Sequence, residues 1–203
     1  MTTQQTPPDI AKAASRSARW KLFAILAICA APVIASYLTY YVIQPQGRTN
    51  YGDLLEPPGA IAQLQVTAPD GARASLEPLR GKWVMVAVDA GACAKACAER
   101  LFAIRQVRLT TGKDRDRIER ALLLTGNASP DPALLAEHDG MLVLRVQPEA
   151  LARQFPAGDG GAASDHIYIV DPLGNVMMRF PRSVDPNRMK KDIAKLLRAS
   201  RIG

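Results

Sequence analysis

The chain has 203 residues, 48% of them hydrophobic, which supplies a packed core for one domain plus a further segment and excludes a disordered chain. The net charge of +7 is uneven: five basic residues against Asp9 leave +4 in residues 1–49 and +3 in the remainder. So small a surplus, with no basic helix carrying interleaved aromatics, excludes a nucleic-acid footprint.

Residues 1–21 are polar and carry Lys12, Arg16, Arg19 and Lys21. Leu22 to Ile43 then runs 22 residues without a charge, about 33 Å of helix and enough to cross a bilayer core. Trp20 before the run and Tyr40 and Tyr41 at its end suit the two membrane interfaces. Basic residues cluster just before the run and only Arg48 lies close behind it. The positive-inside rule therefore predicts a cytoplasmic N-terminus and places everything after about residue 44 outside. In a bacterium this means one pass through the inner membrane, with the main domain in the periplasm. The apolar run is longer than the core of a cleaved signal peptide, so it reads as a retained anchor over 22–43. Cys29 lies inside the run after the bulky Ile28 and reads as a membrane-embedded apolar residue. Gln44 to Gly59, with three prolines and three glycines, reads as a linker.

A domain over 60–203 follows. Ile61 to Thr67 alternates as a strand, Pro69-Asp70-Gly71 is a turn, and Ala74 to Leu76 is placed to pair back. Trp83 to Val88 is a β-rich apolar run. A helix over about 94–109 follows, with Ala98, Leu101, Ile104 and Val107 on one stripe. Asp114 to Arg120 is charged and solvated, and Ala121 to Leu124 is a short buried strand. Ser129-Pro130-Asp131-Pro132 opens a short helix through His138, which reads as a capping residue beside Asp139-Gly140. Met141 to Val146 is a further strand, 148–155 one or two helical turns, and 158–164 a glycine-rich loop. Ile167–Val170 and Val176–Phe180 form a hairpin across Asp171-Pro-Leu-Gly174. Pro186 to Ser200 closes the chain as an amphipathic helix with Met189, Ile193, Leu196 and Leu197 inward. No internal repeat is present. Alternating strands and helices ending in a hairpin and a helix predict an α/β sandwich of about five strands.

Two of the three cysteines, Cys93 and Cys97, stand where the run 83–88 gives way to the helix. Unpaired N–H groups and the positive end of the helix dipole favour thiolate there. Residues four apart share a helix face, with Cα atoms roughly 6 Å apart. The pair can close a disulfide or hold one soft metal ion, although two thiolates fall short of a structural zinc site. Cysteine is also often a simple buried hydrophobe.

The order of elements, with the cysteines where the first long strand meets its helix, resembles the thioredoxin fold. Within it the chain resembles the Sco/SenC family. That family carries the Cys93-Ala-Lys-Ala-Cys97 spacing, an Asp-Pro element like Ser129-Pro-Asp-Pro132, an Asp-His pair like Asp165-His166 ahead of a strand and turn, and one N-terminal transmembrane helix. Where the family has proline after its cysteines, this chain has Ala94 and Ala98. The resemblance implies a membrane-anchored copper-handling assembly factor for cytochrome c oxidase. Its ligands to copper(I) or copper(II) would be Cys93, Cys97 and His166, with the two cysteines also forming the redox pair. Its partner would be an oxidase subunit or another assembly factor.

The alternative for His166 is a residue at a strand start, hydrogen-bonded to a backbone group or to Asp165. Two rival functions stand beside the chaperone. One is a thiol–disulfide oxidoreductase, the single enzymatic reading; the residues before Ile167 are Asp165-His166 rather than the proline usual in thioredoxin-type reductases. The other is a non-catalytic scaffold in oxidase assembly. Paired carboxylates, a phosphate loop and a Ser/His/Asp constellation are all lacking in the sequence, so no catalytic residue and no small-molecule substrate are assigned.

Overall fold

A computed structural model describes residues 10–43, 50–158, 160–200 and 202. The chain divides into two compact units, Met1–Arg48 and Thr49–Gly203. In the first, helix α1 (Ile10–Leu38) continues as a π-helical stretch over Thr39–Ile43. The helix therefore starts well before the apolar run, within the segment read as a polar tail; residues 1–9 lie outside the described residues. Ala18–Val42 is long and apolar enough to cross a membrane by length and composition. Its large apolar side chains, from Trp20 to Val42, are exposed, as a lipid-facing helix requires.

The second unit holds β1 (Asp53–Ala60), β2 (Val66–Thr67), β3 (Trp83–Asp89), β4 (Ile118–Leu124), β5 (Leu142–Val146), β6 (Ile167–Val170) and β7 (Asn175–Arg179). Its helices are α2 (Lys95–Thr110), α3 (Pro132–Glu137), α4 (Pro148–Gln154) and α5 (Pro186–Ala199). The strands form one mixed sheet in the order β1-β7-β6-β3-β4-β5-β2, with β3 central. Strands β3, β4 and β5 run parallel, while β6, β7, β1 and β2 join antiparallel. This is the expected thioredoxin-like α/β sandwich, with seven strands instead of about five.

The two outer strands of the sheet are where the structure differs from the sequence reading. All of β1 but Ala60 lies in the stretch read as linker, yet the strand pairs with β7, through a register irregularity between Leu54 and Gly59. An edge strand tolerates Pro57 and Pro58 because its outer N–H groups need no partner; residues 44–49 lie outside the described residues. The expected strand 61–67 is instead a 3-10 turn over Ile61–Gln63 followed by the two-residue β2.

Strand β3 is buried on both faces, and its side chains alternate between two cores. Met85 and Ala87 join Cys97, Leu101, Ile104, Met189, Ile193 and Leu197 beneath α2 and α5. Val84, Val86 and Val88 join Leu123, Leu144, Leu151, Phe155 and Tyr168 on the opposite face. Each Val, Leu, Ile, Phe or Met side chain among them contributes about 1.5–3 kcal/mol on burial. Helix α5 is capped by Asp185, whose Oδ1 accepts from Asn187 N at 2.8 Å. Its buried Asp192 accepts N–H bonds from Tyr51 at 2.6 Å and Gly52 at 3.0 Å, which fixes the start of the domain against α5.

Candidate functional site around the cysteine loop

The central strand ends at Asp89, and the loop to α2 is organised by that side chain. Asp89 Oδ1 accepts from Gly91 N at 2.8 Å and Cys93 N at 3.0 Å. The carboxylate thus satisfies backbone donors just ahead of the helix. Gly91 has φ +148° and lies so close to the 126–128 loop that an added Cβ would stand 2.5 Å from Ala128 O. Thr125 N bonds Asp89 O at 2.9 Å, and the Arg145 guanidinium donates to Gly126 O and, at 2.9 Å, to Ser129 Oγ. The Ser129–Pro132 element is thereby held beside the cysteine loop, and Asp131 caps α3 by accepting from Ala133 N at 2.8 Å.

Cys93 has φ +48° and is the one non-glycine residue with positive φ among the described residues. Such a conformation is held by its surroundings, here the Asp89 bond to its N–H. Cys97 lies in the first turn of α2, its N–H bonded to Ala94 O at 2.8 Å. The two sulfurs are joined in a disulfide with Cα atoms 4.9 Å apart. Both residues are buried in the α2–α5 core. Cys29 is free and exposed on α1.

His166 directly precedes β6, whose Ile167 pairs with Ala87 of β3. The antiparallel register therefore carries its backbone to the sheet edge from which the cysteine loop departs. Its Nδ1 lies 2.8 Å from Phe180 O. A carbonyl only accepts, so Nδ1 carries a proton, and in the neutral ring Nε2 bears the lone pair. That nitrogen lies near Gly161, 3.5 Å from where a Cβ there would stand. Among the described residues no three His, Cys, Asp or Glu side chains gather as a metal site, so Cys93 and Cys97 are together and His166 is not gathered with them. Asp165 accepts from Arg182 and from Ala162 N at 3.0 Å, and these bonds, Arg182 first, hold its carboxyl below the usual range. His138 caps the C-terminus of α3, its N–H bonded to Leu135 O at 2.9 Å; it is buried, and its Nδ1 has no partner.

Two contributors escape a reading of the sequence. Asp89 carries one signal, an acidic residue at a strand end two residues before a glycine. Arg100 carries another: it stands three residues after Cys97, beside the apolar stripe of α2. It is buried, and burial, opposed by Asp89 and more weakly by Asp165 and Glu99, lowers its pKa.

Residues 83–200 match the family model described as the transmembrane-like, thioredoxin-like, C-terminal domain. No curated protein matches the chain. Among solved structures, the chain is similar to the apo Sco1 protein of Thermus thermophilus (18% identity, TM-score 0.54, covering 74% of this chain and 99% of that one). It is similar to yeast Sco1 (18%, TM-score 0.52, 76% and 98%). It is also similar to a SCO1/SenC family lipoprotein of Bacillus anthracis (14%, TM-score 0.51, 70% and 99%). At these identities the likeness concerns the thioredoxin-like fold.

Proposed function

The chain belongs to the family of transmembrane-like, thioredoxin-like C-terminal domains, and on that premise we propose a membrane-anchored copper-handling protein of Sco type that serves cytochrome c oxidase assembly. The observation that carries the reading is the Cys93–Cys97 pair at the start of α2, inside a fold shared with Sco1 proteins. In this reading α1 anchors the chain with its N-terminus cytoplasmic and residues 50–203 in the periplasm. The domain then meets an oxidase subunit or another assembly factor there.

Copper is cargo in this scheme. Soft thiolates suit copper(I), and imidazole nitrogen suits copper(II) as well. The disulfide must first open. A donor dithiol supplies two electrons and two protons and leaves as a disulfide, which turns Cys93 and Cys97 into two thiols. Loss of the thiol protons on metal binding then gives the ligand pair. His166 is the third ligand of the proposal. Its Nδ1 bond to the Phe180 carbonyl supports the role, since ligating histidines keep the other ring nitrogen fixed by such a partner.

The test is a copper(I) titration of the reduced full chain in detergent against a chromophoric chelator. One ion per chain is expected to compete. Cys93→Ser and Cys97→Ser should each weaken binding at least about 100-fold, and His166→Ala roughly tenfold. Failure of the wild-type chain to compete for copper(I) would overturn the proposal. The closed disulfide favours one second reading, a thiol–disulfide oxidoreductase. That reading predicts catalytic exchange with a substrate disulfide in the absence of copper.

A further inference from the structure

Beside the cysteine loop, on the outer side of α2, lies a cleft of about 520 Å³ bordered by Glu99, Arg100, Asp165, Arg182 and Ser183. Its charges are unequally satisfied. The Asp165 carboxylate is taken up by Arg182 and by Ala162 N. Asp89, behind Arg100, is taken up by the N–H groups of Gly91 and Cys93. Glu99 is exposed to water. Arg100 remains: it is only 8% exposed, its Nε has no hydrogen-bond partner, and no carboxylate forms an ion pair with it among the described residues. A buried guanidinium whose Nε–H is unmet is expensive unless its remaining donors are completed. Arg182 lies within electrostatic reach of Arg100 and is 73% exposed at the mouth, with one contact to Asp165.

The geometry points to this cleft as a carboxylate-binding site in which Arg100 and Arg182 receive one monoanionic carboxylate between their guanidinium groups. A guanidinium donates paired, charge-assisted bonds that match a planar carboxylate. One carboxylate answers one uncompensated cation. A dianion would add a second negative charge to a site already bordered by Asp165 and Glu99, which sets this cleft apart from a phosphate site. The carboxylate comes from a small organic acid or from an acidic side chain of a docked polypeptide. Arg100 follows Cys97 by one helical turn, so the second source would seat a partner next to the disulfide.

The full chain in detergent micelles, with ¹⁵N-labelled arginine, tests this directly. Acetate is titrated in place of chloride at constant ionic strength, so that general screening stays fixed. The Arg100 Nε–H resonance is expected to move along a saturating curve with a roughly millimolar midpoint. Arg182→Gln should raise that midpoint roughly tenfold while the protein stays folded. A blocked tripeptide with a central glutamate then separates the sources. Binding at least roughly tenfold tighter than acetate assigns a docked polypeptide, and equal or weaker binding assigns a small acid. A linear, non-saturating response of Arg100 overturns the site. So does an unchanged midpoint in folded Arg100→Gln, followed through the Arg182 resonance. The wild-type titration decides even where a variant fails to fold.

Discussion

Two regions of the domain bury a cation, and they do it in opposite ways. At the cysteine loop the backbone is crowded: Gly91 touches the 126–128 loop, and Asp89 gathers the local N–H groups. Its cation, Arg100, borders an open cleft, while its Nε is buried and unmet. At the corner between α3 and β5 the backbone has room, since a Cβ on Gly140 would meet only Arg120 Nη2, at 3.8 Å. The cation there is closed in. Arg120 donates to Asp139 O beside the buried His138, and burial lowers the pKa of both groups. A buried cation at the border of a cleft has room for a ligand. One sealed beneath a helix end has only the fold to stabilise.

The glycines offer the largest break in this comparison. Gly91→Ala drives a Cβ into the Ala128 carbonyl, a backbone atom that cannot swing away, and should cost about 3 kcal/mol or more. Gly140→Ala, at φ +74°, suffers conformational strain alone and should cost about 1 kcal/mol. Urea unfolding of both variants measures the difference, and equal losses would show that the two backbones are equally tight.

The arginines come next. Arg120→Ala loses its bond to Asp139 O and leaves a closed void, so a loss of about 2 kcal/mol is expected. Arg100→Ala opens onto the cleft, where water can enter, and should cost about 1 kcal/mol or less. Thermal melts with calorimetric enthalpies compare them. A larger loss at Arg100 than at Arg120 would make Arg100 a structural cation.

How much of this is legible in the sequence depends on the range of the interactions. Strand β3 and helix α2 are local facts: a continuous apolar run, then a stripe at helical spacing, with the cysteines between. Strand β1 is illegible because Pro57, Pro58 and Gly59 are the usual marks of a loop, and only pairing with β7 overrides them. His166 is legible as a residue at a strand start, yet the Phe180 carbonyl that orients its ring lies 14 positions away on a neighbouring segment. Arg100 is hidden for a further reason. A cation on a helix ordinarily reads as solvated, and the charged residues that share its cleft, Asp165 and Arg182, lie 65 and 82 positions later.

The smallest effect is a pH dependence confined to the α3–β5 corner. His138 is 3% exposed with an unpartnered Nδ1. Burial first, then the charges of Arg120 and Arg105, hold its pKa below the ordinary 6.5, while Glu137 opposes them. The neutral ring is therefore the folded form. Above pH 6.5 both folded and unfolded chains carry it neutral, and its contribution to stability is complete. As pH falls below 6.5 the unfolded chain takes up a proton that the folded chain refuses, so stability declines until the folded pKa is passed. Unfolding free energies measured from pH 7.5 down to 5 should show this decline in the wild type. His138→Gln, which cannot titrate, should be less stable at pH 7.5 but flatter over the same range. An unaltered slope in that variant would move the acid sensitivity elsewhere and leave the corner without its distinguishing titration.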